Sequence, residues 1–155
     1  MSVAIITGGA SGLGDAISHR LADEGQTVVV ADVDADGARA TADAIGAEGN
    51  RAVAVTCDVT DRAAVDAMVA ETAALGPIST LVLSAAIENV TPLVDLTDED
   101  WQHVLDVDLK GPFLCMRAAI PHMVEHGGGS VIAMGSTLGL IVSPGHAAYL
   151  SLIHI

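Results

Sequence analysis

The stretch Thr7-Gly8-Gly9-Ala10-Ser11-Gly12-Leu13-Gly14 separates two patterns in this 155-residue chain. A short apolar run over residues 3–7 leads into it, and Leu13, Ile17 and Leu21 follow at helical spacing. The glycines at positions 8, 12 and 14 allow a tight turn, after which the free N–H groups of a helix N-terminus can approach a phosphate. The stretch therefore predicts a strand–turn–helix unit that binds a pyrophosphate.

Apolar runs and helical patterns alternate along the rest of the chain. Strands that alternate with helices form parallel sheets covered on both faces. We therefore predict an α/β fold of the Rossmann type, a doubly wound parallel sheet with five strands in the order 3-2-1-4-5. The further strands are predicted at 27–31, 53–56, 81–83 and 130–134, and the further helices at 35–47, at 61–75 and as one long helix at 97–126.

The long helix carries three features with competing interpretations. Its first residues, Thr97-Asp98-Glu99-Asp100, resemble a capping box with acids in the first turn, which we favour over a metal site. Pro112 and Pro121 are expected to bend it. His122 and His126 lie one turn apart, but the sequence offers no third ligand, so no metal site is predicted.

Composition restricts the class of protein. Six basic residues against 20 acidic ones give a net charge of −14, which argues against a nucleic-acid or anionic-membrane partner. Apolar residues make up 51% of the chain, but no apolar stretch reaches membrane-spanning length. The N-terminus lacks a basic signal-peptide region. Cys57 and Cys115 have no CxxC spacing, so we expect two reduced thiols in a cytoplasmic protein.

Asp32 ends the second predicted strand, 18 residues after Gly14. A carboxylate at this point accepts hydrogen bonds from both hydroxyls of an adenosine ribose and repels a 2′-phosphate. No arginine or lysine follows Asp32 until Arg39. The expected cofactor is therefore NAD, with NADP disfavoured.

These motifs together resemble the short-chain dehydrogenase/reductase family over residues 2–149. The resemblance rests on TGxxxGxG at 7–14, on Asp32 and on Cys57-Asp58-Val59-Thr60. It implies that Asp58 and Val59 hold the adenine, although Asp58 could also cap the next helix. After the fourth strand the family has Asn-Asn-Ala-Gly, and this chain has Leu83-Ser84-Ala85-Ala86. The cofactor-binding residues implied in this way are Gly8, Ser11, Gly12, Leu13, Gly14, Asp32, Asp58, Val59, Ser84, Ala85 and Ala86.

The catalytic residues that the resemblance implies are Ser136 and Tyr149. Ser136 follows the fifth strand, and Tyr149 lies 13 residues later, which is the family's spacing. Serine would orient the substrate oxygen, and tyrosine would transfer its proton. Asp108 stands where the family has a catalytic Asn. The implied activity is NAD(H)-dependent hydride transfer between nicotinamide and a secondary alcohol or ketone, in a homodimer or homotetramer formed through the long helix and the helix after Tyr149.

The end of the chain departs from the family. Ile153 occupies the position of the family's lysine, whose charge depresses the tyrosine pKa. An unassisted phenol is ionised only to about one part in a thousand at pH 7, so we expect the chain as written to be inactive. Residues 150–155 resemble a translated sequencing adapter. We therefore expect an incomplete dinucleotide-binding domain at 1–149, with the last helix and strands missing, followed by a non-native tail.

Two other classes of protein remain open. A catalytically dead dinucleotide-binding protein, or pseudoenzyme, would bind NADH without oxidising alcohols. A methyltransferase with a similar sheet would bind a methyl donor, but the glycine spacing and the Ser136–Tyr149 pair weigh against it. Residues 88–94 and 138–145 are expected to form the loops that line a substrate pocket, and His146 could face that substrate.

Overall fold

A computed structural model describes residues 2–154. Five strands alternate with helices, as the sequence predicts. The strands are β1 Val3–Thr7, β2 Thr27–Asp32, β3 Ala52–Thr56, β4 Ile78–Leu83 and β5 Ser130–Ala133. The helices are α1 Gly12–Asp23, α2 Ala35–Ala47, α3 Arg62–Ala73, α4 Asp98–Leu105, α5 Gly111–Glu125 and α6 Ala147–His154. Within this range no helix is long and apolar enough to cross a membrane.

The five strands form one parallel sheet in the order β3-β2-β1-β4-β5, which confirms the predicted fold and strand order. Ile5 of β1 lies between Val29 of β2 and Leu81 of β4. The chain thus winds outward in one direction from β1 to β3 and in the other from β4 to β5. The carboxyl ends of β1 and β4 mark the point where the direction reverses, and open α/β sheets bind ligands at this position.

Alternate residues of β1 and β2 enter two separate apolar clusters. Ile5 and Val29 pack with residues of α3 and α5 on one face of the sheet. Ile6 and Val30 pack with residues of α1 and α2 on the other face. All four side chains are fully buried. A strand that is covered on both faces needs an apolar residue at every position, which is why these strands appear as continuous apolar runs.

The predicted long helix is present from Asp98 to Glu125, and it departs from α-helical geometry next to Pro112, one of the two prolines expected to bend it. Asp106–Lys110 between α4 and α5 forms a π-helical segment. Pro112 has no N–H, so the carbonyl of Asp108 cannot receive the bond that an α-helix would give it. The Gly111 N–H instead bonds to the Asp106 carbonyl, one residue further back than in an α-helix. Pro121 lies inside α5 without ending it.

Strand β5 is exposed along its whole length. Val131 and Ile132 retain 38% and 45% of their accessible surface, and Met134 beyond the strand retains 41%. By contrast, β3 at the opposite edge contacts α2 and is partly buried. An exposed apolar edge strand offers unpaired N–H and C=O groups to another chain.

Ile132→Lys should therefore reduce self-association of the chain. Analytical ultracentrifugation at several concentrations should show a smaller associated fraction than in the wild type, since a charge on an edge strand opposes strand pairing. Val53→Lys on β3 is the matched control, because Val53 has a similar exposure of 40% but lies on the opposite edge strand, which contacts α2. If both variants associate as the wild type does, β5 is not the contact surface.

Candidate active site

A cleft of about 610 Å³ opens at the carboxyl ends of the central strands. Ten of the eleven residues predicted to bind a cofactor line this cleft, and Gly14 is the exception. Residues at or directly after the carboxyl ends of β1, β2, β3 and β4 therefore converge, as the strand order requires. The lining residues are Gly8, Ser11, Gly12, Leu13, Asp32, Val33, Cys57, Asp58, Val59, Ser84, Ala85, Ala86, Ile87, His103 and Val107.

Glycine is needed at each of the three motif positions for a different structural reason. Gly8 and Gly12 adopt φ of +69° and +57°, which side chains rarely tolerate. A Cβ on Gly8 would also lie 2.7 Å from the Cα of Ala85. Gly14 has no positive φ, but a Cβ there would lie 2.0 Å from the Gly8 carbonyl oxygen. Gly14 thus lets α1 pack on the turn, whereas Gly12 leaves open space beside the cleft.

The N-terminus of α1 is open toward the cleft. Ser11 is the N-cap in extended conformation, and its side chain makes no capping hydrogen bond. The first N–H groups of a helix have no partner within the helix. Their partial positive charge, together with the helix dipole, stabilises an anion at this position.

Asp32 is held at the rim of the cleft by the backbone. Its Oδ2 accepts a hydrogen bond from the Ala10 N–H at 3.0 Å, and its Oδ1 accepts one from the Asp34 N–H at 3.0 Å. The first bond ties the end of β2 to the glycine turn. Each carboxylate oxygen can accept a further bond, so the group remains able to receive a ligand hydroxyl.

Asp58 and Val59 line the cleft after β3. The Asp58 carboxylate accepts hydrogen bonds from the N–H and the hydroxyl of Thr60, both at 2.8 Å, and these bonds lower its pKa. The alternative role of Asp58 as a helix cap is wrong, since Asp61 caps α3 through the Ala63 N–H.

The segment after β4 tolerates its departures from the family pattern. The N–H groups of Ser84 and Ala85 donate to the Thr7 hydroxyl at 3.3 Å each, which joins the ends of β1 and β4. Leu83 is buried in the apolar core. No non-glycine residue between positions 2 and 154 has a positive φ, so Ala86 accommodates its Cβ without strain.

Asp108 lies in the π-helical segment and reaches the same loop. Its Oδ1 accepts the Ile87 N–H at 2.9 Å, and its Oδ2 is buried without a hydrogen-bond partner. Desolvation raises the pKa of Asp108, although the bond from Ile87 acts in the opposite direction. The carboxylate therefore positions a lining residue of the cleft at an electrostatic cost.

Ser136 and Tyr149 follow β5 but do not line the cleft. The Ser136 hydroxyl accepts the Leu138 N–H at 3.1 Å and caps a short 3₁₀ turn, Thr137–Gly139. Tyr149 is half-buried in the first turn of α6. A Cβ on Gly139 would lie 3.0 Å from Ile153, so α6 presents an apolar side chain to this turn at the position of the family's lysine.

Five lining residues were missed by the sequence analysis: Val33, Cys57, Ile87, His103 and Val107. The first three adjoin predicted residues and could have been found by extending each motif by one position. His103 and Val107 reach the cleft only because α4 and the π-helical segment pack beside it, which no local pattern indicates. Both cysteines are buried and free, as expected, and burial raises the pKa of Cys57 to about 11 and that of Cys115 to about 12.

The histidines of α5 have a neighbour that the sequence did not suggest. Candidate ligand atoms of His122, Glu125 and His126 lie within 4.8 Å of one another. The His126 Nδ1 contacts the His122 carbonyl oxygen at 2.8 Å. The group lies at the C-terminal end of α5, outside the cleft lining.

Comparison with known proteins identifies the family of the chain. The family profile described as short chain dehydrogenase matches residues 2–151, and the chain belongs to this family. Three curated relatives are similar to it, and the chain spans little more than half the length of each. They are (2S)-[(R)-hydroxy(phenyl)methyl]succinyl-CoA dehydrogenase subunit BbsD of Thauera aromatica (42% identity, 86% of this chain, 54% of the relative), D-threitol dehydrogenase of Mycolicibacterium smegmatis (36%, 95%, 57%) and 2-dehydro-3-deoxy-L-rhamnonate dehydrogenase (NAD(+)) of a Sphingomonas species (38%, 94%, 58%).

Gly14→Ala should destabilise the fold, because the new Cβ would meet the Gly8 carbonyl. We expect a loss of about 3 kcal/mol in the free energy of unfolding, measured by urea denaturation. Gly46→Ala is the matched control, since Gly46 lies in α2 with open space around it. It should gain about 0.5–1 kcal/mol. Equal effects of the two substitutions would contradict the close contact at Gly14.

Asp108→Asn should stabilise the folded chain at neutral pH. The raised pKa means that stability falls as pH rises from the ordinary aspartate value to the raised value, and that the whole cost is present above it. Removing the charge should gain about 0.5–1 kcal/mol in urea denaturation at about pH 8. The gain should shrink toward about pH 4 as the wild-type carboxyl becomes protonated. A gain that does not vary with pH would rule out this cause.

Proposed function

We propose that the chain is part of an NAD(H)-dependent oxidoreductase that interconverts a secondary alcohol and a ketone. The observation that best supports this proposal is the N-terminus of α1, which has no side-chain cap and opens on the cleft. Asp32 lines the same cleft and is held in place by hydrogen bonds from the backbone. A dinucleotide requires an anion site for its pyrophosphate and a hydroxyl acceptor for its ribose, and these two features supply both. Bound nicotinamide would supply or accept the hydride.

The residues of this chain fit a dinucleotide in three places. The first turn of α1 would hold the pyrophosphate, and the open space at Gly12 leaves room for it. Asp32 would accept the ribose hydroxyls, and its charge would exclude a 2′-phosphate. Asp58 and Val59 would border the adenine. The relative named as NAD(+)-dependent supports NAD as the preferred cofactor.

Proton transfer is assigned to Tyr149 and substrate orientation to Ser136. Hydride transfer at a carbinol carbon requires a proton to leave or reach its oxygen. The phenol of Tyr149 would carry this proton, the hydroxyl of Ser136 would hold the oxygen, and Asp108 would replace the family's Asn. Ile153 supplies no charge to the phenol, so we expect the 155-residue chain to bind the cofactor with little or no turnover, as in the alternative of a catalytically dead dinucleotide-binding protein.

A small polyol or hydroxy acid derivative is the proposed class of substrate. The relatives named for D-threitol and for 2-dehydro-3-deoxy-L-rhamnonate support this class. The loop expected to border the substrate carries exposed apolar residues, Leu140, Ile141 and Val142, which would face its carbon skeleton.

We further propose a cytoplasmic homodimer or homotetramer built on α5. The apolar residues Leu109, Phe113, Ile120 and Val124 are exposed to between 40% and 67%. Their separations of four, seven and four positions place them on one side of the helix. An exposed stripe of this kind is typical of a protein–protein interface. Because the net charge is −14, we propose neither nucleic acids nor anionic membranes as partners.

Asp32→Ala should weaken NADH binding by about tenfold in a calorimetric titration, since it removes charge-assisted hydrogen bonds to the ribose. Binding of NADPH should weaken less or improve, because the repulsion of the 2′-phosphate is also removed. Asp36→Ala is the control, since Asp36 is exposed in the first turn of α2. Unchanged NADH affinity in Asp32→Ala would refute the assigned role.

A further inference from the structure

His146 links two segments of the chain, the loop at 87–91 after β4 and the residues that lead into α6. Its Nε2 lies 2.7 Å from Oε1 of Glu88, in the loop after β4. Its Nδ1 lies 3.0 Å from the carbonyl oxygen of Pro144. The imidazole is largely buried, with 13% of its side-chain surface exposed, whereas Glu88 is half-exposed at 53%.

The two contacts together determine the protonation of the ring. A backbone carbonyl and a carboxylate are both hydrogen-bond acceptors. A neutral imidazole has one N–H and can donate to only one of them, whereas an imidazolium donates to both. With Glu88 ionised, only an imidazolium donates to both acceptors at once.

Backbone bonds join the same two segments. The Thr91 N–H donates to the Gly145 carbonyl at 2.9 Å, and Thr91 forms a parallel β-bridge with His146. Gly145 adopts φ of +86°, and a Cβ there would lie 3.2 Å from Val90. The loop at 87–91 thus packs directly on the residues that lead into α6.

His146 also begins the helix that carries Tyr149. Its carbonyl accepts the Leu150 N–H at 2.8 Å, the first bond of α6. Tyr149 follows three residues later, within the same turn. Any displacement of His146 therefore moves the backbone that holds the phenol.

Resting on the function proposed above, we propose that His146 in its imidazolium form is a positioning residue for Tyr149. It fastens the first turn of α6 to the loop at 87–91, and this loop is in turn held by Asp108 through the Ile87 N–H. The positive charge at a helix N-terminus is unfavourable by itself, and the Glu88 carboxylate compensates for it.

The groups around the ring show which charge it meets. Glu88 is the charged group in contact with it among residues 2–154. Two neighbouring helices carry further titratable groups. Helix α4 packs against α6, and none of its titratable residues bonds to the ring within the described part of the chain: Asp98, Glu99, Asp100 and His103. Helix α6 itself carries Tyr149 and His154. Removal of the Nε2 proton or of the Glu88 charge would break the pair that holds the loop, whereas removal of the Nδ1 proton would affect only the contact with Pro144.

Hydrogen exchange at the Thr91 amide and NMR of labelled chain test the proposal. Glu88→Gln preserves the shape of the side chain and removes its charge, and we expect about fivefold lower protection of Thr91, the size typical of a half-exposed pair. At about pH 6, ¹⁵N-histidine spectra should show both His146 nitrogens protonated. Because the chain has one tyrosine, ¹³C-tyrosine labelling gives a single ring signal, and this signal should shift or broaden in Glu88→Gln.

Glu71→Gln, on the exposed face of α3, is the matched control and should change none of these measurements. For variants that self-associate, hydrogen exchange is measured by mass spectrometry at a low micromolar protein concentration. A neutral His146 ring, or unchanged Thr91 protection in Glu88→Gln, would show that the charged His146–Glu88 pair does not hold the loop. An intact link with an unchanged Tyr149 signal would overturn the positioning role. Failure of the chain to bind NADH, measured separately, would count against the proposed function and leave the link itself standing.

Discussion

The approach of α1 to the glycine turn is the constraint on which the cleft depends. The Gly8 carbonyl lies so close to Gly14 that no side chain fits at that position, and Gly8 itself lies against the backbone of Ala85. These contacts bring the helix N-terminus and the ends of β1 and β4 to one point. Asp32 fixes the same turn from the other side through the Ala10 N–H. A ligand at this point therefore meets a backbone surface whose shape is set before binding.

The charges around the cleft explain why a backbone site is needed. Asp32 and Asp58 line it, and no lysine or arginine is among its lining residues. With a net charge of −14 the chain as a whole repels anions. The N–H groups of α1 are thus the principal positive feature in the cleft, and an anionic ligand would bind to them while its hydroxyls face the carboxylates.

Sequence patterns predict the parts of this molecule that local rules determine. The continuous apolar runs indicated the strands, because strands buried on both faces leave no position for a polar residue. The glycine motif indicated four lining residues of the cleft, the end of the second strand indicated Asp32, and the family resemblance indicated the other five. The start of β4 was placed three residues late, because Ser79 and Thr80 interrupt the apolar pattern and are instead satisfied by Gln26. His103 and the Glu88–His146 pair depend on packing between distant segments, which no local pattern records.

The π-helical segment has a local cause in the sequence and long-range consequences for packing. Pro112 removes one α-helical bond, and the chain responds with a wider turn at Asp106–Lys110. Gly111 follows at a point where a Cβ would lie 2.8 Å from Val59, so the helix passes close to the segment after β3. The wider turn allows Asp108 to face inward and accept the Ile87 N–H, although half of its carboxylate remains without a partner. Pro112 prevents a regular α-helix at this point, and the irregular turn that results places Asp108 beside the cleft, a position at which π-helical turns frequently occur in functional sites.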